Sequence, residues 1–456
     1  MIGLYVRKRK TRTDLRWIDG LIRSIRPHVY VRERDHLLIL MPNQAYHLND
    51  TAFYLLSHTL NGKSIHEVID EMIPGQWQTW DVVEDINSFF RAVRALVIGC
   101  LGEGYGWQGI EQVSFSRDGG LLPVLSEVAV TYKCNLSCKF CYAGCSCTKK
   151  PMEREMSFEE AKVMLNKIRF DAEVPSVSFT GGEPCLRDDL CEMVRFASSI
   201  GLRVNLITNG TLITKQLAKH LRKAGLRSAQ VSIEGPSAEI HDMLTGVSGS
   251  FERALQGIRF LREEQIYVHT NTTINRLNMK GATEMPDLAK SLGLPRFSMN
   301  MVMPCGSTDV EETAISYSEI GEIVLRVKRH ARQVGIEFMW YSPTPYCLFN
   351  PIASGLGSKA CAACDGLLSI APNGDVLPCS SRMDPVGNLL IQDFESLWNS
   401  ERARYYRTRQ HAPEECQSCE QFEICSGACP IYWDAFGCDE IRKRQQLHLV
   451  DHHGSG

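Results

Sequence analysis

The run Glu127-Val128-Ala129-Val130-Thr131-Tyr132-Lys133-Cys134-Asn135-Leu136-Ser137-Cys138-Lys139-Phe140-Cys141 decides how the rest of the chain is read. Glu127–Thr131 is mostly apolar and predicts a strand, which runs straight into three cysteines at CxxxCxxC spacing. Three thiolates on one loop can face a single metal centre and leave a fourth coordination position open. An open iron can bind a substrate, whereas a closed four-cysteine site mainly transfers electrons or holds structure. The competing reading is a zinc site that borrows Cys145 or Cys147 as its fourth ligand.

Downstream, strand and helix patterns alternate. Strands are expected at Ser176–Thr180, Arg203–Thr208, Ser228–Ile233, Tyr267–Ile274 and Arg296–Met301. Helices are expected between them at Ser157–Phe170, Leu186–Ser199, Lys215–Lys223, Phe251–Glu263 and Met279–Leu292. Ser157 and Glu160 form a capping box, and Gly201, Gly225 and Gly293 stand where helices should stop. This alternation predicts an α/β fold, with six units closing into a partial barrel whose chemistry sits at the C-terminal strand ends. The second strand ends in Thr180-Gly181-Gly182-Glu183-Pro184, where two glycines allow close backbone approach to a ligand. A tight strand-to-helix turn is the plainer alternative.

The chain has 456 residues, enough for two to four domains, and its 44% apolar and 23% charged residues exclude wholesale disorder. A net charge of −3 argues against a nucleic-acid-coating surface. No stretch approaches the ~20 apolar residues of a membrane helix, and the basic Met1–Arg12 has no apolar run behind it. The expectation is a cytoplasmic, soluble protein with no nucleic-acid or membrane partner. The outlying number is 18 cysteines, clustered at short spacings in a long chain without an export signal, which favours metal or iron–sulfur ligation over disulfides. Four regions separate: 1–112, with Cys100 alone; 121–340, the strand–helix units; 341–440, with half of the cysteines; and a polar, flexible tail at 441–456.

CxxxCxxC after the first strand and GGEP after the second resemble the radical S-adenosylmethionine enzymes. The resemblance covers roughly residues 123–340. It implies that Cys134, Cys138 and Cys141 hold three irons of a [4Fe–4S] cluster whose open iron chelates S-adenosylmethionine. One electron then cleaves the sulfonium, giving a 5′-deoxyadenosyl radical that abstracts hydrogen from the substrate. A reducing partner such as flavodoxin or ferredoxin is implied as well. By the same resemblance Phe140 lies near adenine, and Gly181, Gly182 and Glu183 receive the methionine amino group. Asn209, in Thr208-Asn209-Gly210-Thr211, and Ser232, in Ser232-Ile233-Glu234-Gly235-Pro236, touch the ribose and the methionine carboxylate. Many relatives carry an Arg soon after His241-Asp242; here the run is Met243-Leu244-Thr245-Gly246, and Arg253 is the substitute. For each single residue, a loop-structuring role stands beside ligand contact.

Further on come Cys364-x9-Gly374-x4-Cys379 and Cys416-x2-Cys419-x5-Cys425-x3-Cys429, then Cys438. Over roughly 345–440 this spacing resembles the seven-cysteine SPASM extension, and zinc ribbons are the alternative. The resemblance implies a distal [4Fe–4S] cluster on Cys416, Cys419, Cys425 and Cys438, and one nearer the barrel on Cys364, Cys379 and Cys429, three clusters in all. The near cluster's fourth ligand is Cys347, favoured over Cys361, or its iron is open. Gly366–Val376 reads as a β-hairpin around Asn373-Gly374. Cys100 and Cys191 read as small buried apolar residues, and Cys305, after the sixth strand, faces the cavity with a packing role.

In the N-terminal region, His28–Arg32 and His36–Met41 read as paired strands. Helices follow at Thr51–Thr59, Ile65–Met72 and Val82–Val97. Ala45-Tyr46-His47-Leu48-Asn49-Asp50-Thr51-Ala52 and the helix after it resemble the winged-helix peptide chaperone of the pyrroloquinoline quinone pathway. In such domains a leader peptide adds a strand to the sheet edge; a domain that merely shields the barrel is the alternative. The resulting expectation is a maturase that modifies a ribosomally made precursor peptide with a leader segment, or a protein side chain, by crosslink, thioether or decarboxylation. An enzyme acting on a small molecule such as a tetrapyrrole is the rival within enzymes, and a zinc- or cluster-binding scaffold the rival outside them. No general base stands out.

Overall fold

A computed structural model of the chain describes residues 14–41, 44–72, 80–98, 109–112, 122–145 and 154–444. The chain divides into Met1–Ser114 and Phe115–Gly456.

In the first unit, helix α1 (Trp17–Ile25) leads into β1 (Val29–Arg32), β2 (Leu37–Leu40) and β3 (Gln44–Leu48). Then come α2 (Asp50–Leu60), α3 (Ile65–Met72), α4 (Trp80–Ile98) and a short β4 (Ile110–Gln112). The strands form an antiparallel sheet in the order β1-β2-β3-β4. α1 was not foreseen, although Ile18, Ile22 and Ile25 recur at helical spacing and are its buried face. Asn49 caps α2, its side-chain oxygen accepting from the Ala52 N–H at 2.9 Å. Leu38, Leu56, Val68, Ile69 and Phe90 are fully buried, so this unit has a core of its own.

The second unit is built on one mixed sheet. Strands β5 (Leu125–Thr131), β6 (Ser176–Gly181), β7 (Arg203–Thr208), β8 (Ser228–Ser232), β9 (Tyr267–Ile274) and β10 (Arg296–Met301) lie side by side and parallel, within a residue or two of expectation. Helices α5 (Phe158–Asn166), α6 (Leu190–Ser199), α7 (Lys215–Ala224), α8 (Ala238–Thr245), α9 (Ser250–Glu263) and α10 (Met285–Ser291) fill the connections. The capping box at Ser157 and Glu160 is present. Gly201, Gly225 and Gly293 all take left-handed backbone at the helix ends.

Three features extend this frame. After α11 (Val310–Thr313) and α12 (Tyr317–Val334), β11 (Glu337–Trp340) adds a seventh parallel strand beside β10. The expected hairpin forms as β12 (Leu367–Ile370) and β13 (Asp375–Leu377), with Gly374 at φ +88° in the turn. β12 pairs in parallel with β5, and β13 pairs with β14 (Gly387–Asn388), so the cysteine-rich region continues the barrel's sheet. The tail expected from Ile441 begins differently: 441–444 are helical and Ile441 is buried. Residues 445–456, Met1–Arg12, Cys100 and Cys147 lie outside the described residues. Among the described residues no helix is long and apolar enough to cross a membrane.

His269 on β9 gives the fold a pH signature. Burial, with Arg296 and Arg203 nearby, holds its imidazole down at about 4, and its Nε2 lies 3.1 Å from the Gln230 side-chain oxygen. The unfolded chain therefore protonates this histidine first as pH falls below 6.5, and stability is lost from there down towards pH 4. Each unit of that gap is worth about 1.36 kcal/mol. The thermal midpoint is expected to fall more steeply between pH 6.5 and 5 in the parent than in His269→Gln; equal slopes would contradict the assignment.

Candidate functional site

The loop after β5 is clamped from four sides. The Gly182 and Glu183 N–H groups donate to the Thr131 and Lys133 carbonyls, each at 2.8 Å. The Ser137 and Lys139 N–H groups donate to the carbonyls of Thr245 (2.9 Å) and Leu244 (3.0 Å), at the end of α8. From the segment after β10, the N–H groups of Ser307 and Asp309 donate to the Cys141 and Lys139 carbonyls, both at 2.9 Å. On the fourth side Asn209, after β7, donates to Asn135 at 2.9 Å and approaches the Cys134 sulfur at 3.9 Å. The glycines of GGEP thus serve a purpose beyond the expected one. Gly181 lies at φ +125°, and a Cβ on either glycine would run into the Thr131 or Lys133 carbonyl. The close approach is to the cysteine loop itself.

Cys134, Cys138 and Cys141 come together at the strand ends, each the others' charge neighbour. Two backbone N–H groups point at sulfur: Leu136 at Cys134 (3.5 Å) and Cys145 at Cys141 (3.4 Å). Burial pushes the Cys134 thiol up to about 11 and that of Cys138 well up. The hydrogen bond from Cys145, against burial and with the N–H groups of Ala143, Gly144 and Cys145, draws Cys141 down to about 6. A thiol-only donor set with N–H groups aimed at sulfur fits an iron–sulfur cluster.

Glu183 is fully buried and bridges strand ends, accepting from Thr208 Oγ1 (2.7 Å), Asn209 N (2.8 Å) and Cys185 N (3.0 Å). Asn209 is locked in turn by Thr211, whose N–H (2.9 Å) and hydroxyl (2.7 Å) both donate to its side-chain oxygen. Ser232 ends β8 half-buried, and Phe140 packs against the core. Arg253 departs from expectation: it is exposed, and its guanidinium sits 3.5 Å from the Ser248 carbonyl. Asp242 accepts from Gly249 N, Ser250 Oγ and Phe251 N at 2.6–2.8 Å, tying down the start of α9. Two residues went unremarked in the sequence. Asn135, inside the cysteine motif, braces Thr211 and Asn209. Glu234, after β8, has Cys138 as a charge neighbour, and burial raises its carboxyl to about 8 despite a 2.9 Å bond from Thr273 N.

The remaining cysteines fall into two sets. Burial, then Cys361 and Cys429, pushes the Cys379 thiol far up; Cys364 and Cys429, each raised to about 12 chiefly by burial, also have Cys361 beside them. In the other set Cys416, raised to about 12 by burial, has Cys425, Cys347, Cys419 and Cys438 as neighbours. Cys347, expected with Cys364, Cys379 and Cys429, thus stands with Cys416 and Cys425, while Cys361 joins the set nearer the barrel. Left-handed backbone at Cys364, φ +49°, turns the short Cys361–Cys364 segment. Cys305 has Cys141 and Cys429 as charge neighbours, between the loop and this near set. Among the described residues no three His, Cys, Asp or Glu side chains converge tightly enough to share one ion; a cubane instead spreads its thiolates around four irons.

Comparison with known proteins finds two family matches. Residues 128–287 match the radical SAM superfamily and residues 357–420 an iron–sulfur cluster-binding domain, SPASM. The AdoMet-dependent heme synthase of Oleidesulfovibrio alaskensis is 32% identical over 314 residues, 65% of this chain and 80% of that protein. The PqqA peptide cyclase of Rhizobium meliloti is 31% identical over 344 residues, 72% of this chain and 89% of the cyclase. Among solved structures, Streptococcus suis SuiB bound to its precursor peptide SuiA superposes with a TM-score of 0.66 at 15% identity, covering 89% of this chain and 95% of SuiB. The radical SAM match takes in Cys134, Cys138 and Cys141 and the SPASM match Cys361, Cys364, Cys379, Cys416 and Cys419, and the chain belongs to the radical S-adenosylmethionine enzymes with a SPASM extension, whose cofactors are [4Fe–4S] clusters and S-adenosylmethionine.

Proposed function

We propose that this enzyme modifies a ribosomally made precursor peptide, or a protein side chain, in the cytoplasm, with a small electron-transfer protein such as flavodoxin or ferredoxin as reductant. The observation that carries this reading is the first unit, a sheet-and-helix domain with a core separate from the barrel. The match to peptide-bound SuiB spans more of the chain than Phe115–Gly456 can supply, so it includes part of that unit. Strand addition to the sheet β1-β2-β3-β4 would hold a leader by main-chain hydrogen bonds.

Cys134, Cys138 and Cys141 would hold the radical cluster; Phe140, Gly181, Gly182, Glu183, Asn209 and Ser232 would shape the S-adenosylmethionine pocket around it. When bound, the cluster and S-adenosylmethionine supply the one-electron chemistry that opens the reaction. The clamped loop fixes the thiols, and Glu183 with Asn209 fixes the strand ends around them. Cys361, Cys364, Cys379 and Cys429 would hold the near auxiliary cluster and Cys416, Cys419, Cys425 and Cys438 the distal one. Cys347 is left beside a filled site. Three such clusters carry roughly 12 irons. Cys361→Ala is expected to reduce that towards roughly 8, and Cys347→Ala to leave it unchanged; iron and sulfide analysis of anaerobically prepared variants decides, and the reverse pattern would restore the sequence expectation.

The heme synthase relative favours a second reading, a tetrapyrrole substrate. Substrate-dependent stimulation of 5′-deoxyadenosine release separates the two. Candidate precursor peptide is expected to stimulate release and tetrapyrrole to leave it at the substrate-free rate; the opposite result would establish the second reading.

A further inference from the structure

The segment that follows Cys379 is held by the barrel at three points. The Ser380 N–H donates to Glu127 Oε1 on β5 at 3.2 Å. Ser381 hydrogen-bonds Cys305, and Tyr132 donates to the Met383 sulfur at 3.5 Å. Glu127 is the centre of this arrangement. The same oxygen accepts from the Ser369 hydroxyl at 2.7 Å, and Ser369 stands opposite Glu127 in the β5–β12 pairing. Glu127 also shares a narrow internal gap with Tyr142, which follows Cys141 and donates to the Gly181 carbonyl at 3.3 Å. One half-buried carboxyl therefore touches the hairpin and the Cys379 loop while facing the residue after the third thiol of the radical-cluster motif. A carboxyl drawn partly out of water is costly unless it is hydrogen-bonded, and here its donors, Ser369 and Ser380, come from the cysteine-rich region.

We propose that Glu127 is a positioning residue for the near auxiliary cluster: by accepting from Ser369 and Ser380 it fixes the Cys379 loop against the first barrel strand, and with it that cluster's occupancy and environment. This rests on assigning Cys361, Cys364, Cys379 and Cys429 to the near cluster. It acts through Ser380 and the loop, as outer-shell partners orient ligands at metal sites.

The test uses the full chain, anaerobically reconstituted, as Glu127→Ala, Glu127→Gln and Ser369→Ala. Iron and sulfide content and a redox titration followed by electron paramagnetic resonance are the readouts. Glu127→Ala is expected to lose roughly a third of the iron, four of about twelve, with the radical-cluster signal retained. Glu127→Gln keeps an acceptor oxygen and is expected to restore both the iron and the near-cluster signal. Ser369→Ala, which removes the hairpin's donor and leaves those of Ser380, is expected to shift the near-cluster potential alone. Full iron and a parental near-cluster potential in Glu127→Ala would overturn the proposal. So would equal loss of all clusters in Glu127→Ala together with parental behaviour of Ser369→Ala. A parent protein holding only about four irons would instead overturn the near-cluster assignment.

Discussion

Replacing Cys134, Cys138 and Cys141 together by alanine is expected to abolish reductive cleavage of S-adenosylmethionine while the protein keeps roughly eight irons in its auxiliary sites. The expectation follows from how the loop is held. Three of its four clamps, through Gly182 and Glu183, through Thr245 and Leu244, and through Ser307 and Asp309, are main-chain hydrogen bonds, and the fourth keeps its Asn209–Asn135 bond, so removing three sulfurs leaves the loop's backbone contacts in place. The cysteine-rich region has its own ties to the barrel, through β12 on β5 and Ser380 on Glu127, none of which involves those sulfurs. Loss of 5′-deoxyadenosine should therefore be complete, while auxiliary cluster signals persist. Undiminished 5′-deoxyadenosine formation by the triple variant would remove the basis for the radical-cluster assignment.

Deleting the first unit, up to about residue 112, is the second large effect. The unit has a core separate from the barrel, and none of the cysteines assigned to the three clusters lies in it. The truncated enzyme is expected to keep all three clusters and to cleave S-adenosylmethionine without substrate. On full-length precursor its kcat/KM should fall, mainly through a raised KM, because the lost contacts bind the leader equally in ground and transition states. Adding the excised unit in trans should restore little, since tethering sets the effective concentration. An unchanged KM would show that the unit does not read the leader.

Much of this was legible in the sequence because it is local. The six barrel strands alternate with helices whose caps are written in single residues, Ser157 with Glu160 at one start and Gly225 at one end. The hairpin was legible from Asn373-Gly374. The strands not expected are short or edge pieces, whereas helices α1 and α12 carry helical spacing, Ile18 with Ile22 and Ile320 with Val324 and Val327, that went unremarked. β11 is four residues that no periodicity marks as strand, and β3 and β4 take their identity from pairing partners. The exchange of Cys347 and Cys361 has a different cause. Spacing between cysteines does not say how residues 348–360 fold back, so which thiol faces which set depends on tertiary packing. The GGEP sequence suggests a ligand cradle but does not show that its glycines also make room for the Thr131 and Lys133 carbonyls, which press against them. Arg253 was matched to a family position by proximity in sequence, and helix α9 turns it to solvent. Glu127 carries no motif, and its importance shows only once Ser369 and Ser380 are seen to converge on it.

The central claim is that a precursor peptide is the substrate and that its leader is read by the first unit. Turnover of a full-length precursor and of its leaderless core by the intact, reconstituted enzyme, followed by mass spectrometry of the products, tests it most directly. The account predicts modification of the full-length peptide with 5′-deoxyadenosine formed alongside, and a much lower kcat/KM on the core. Equal turnover of the two peptides, or modification of neither while a tetrapyrrole is converted, would contradict it.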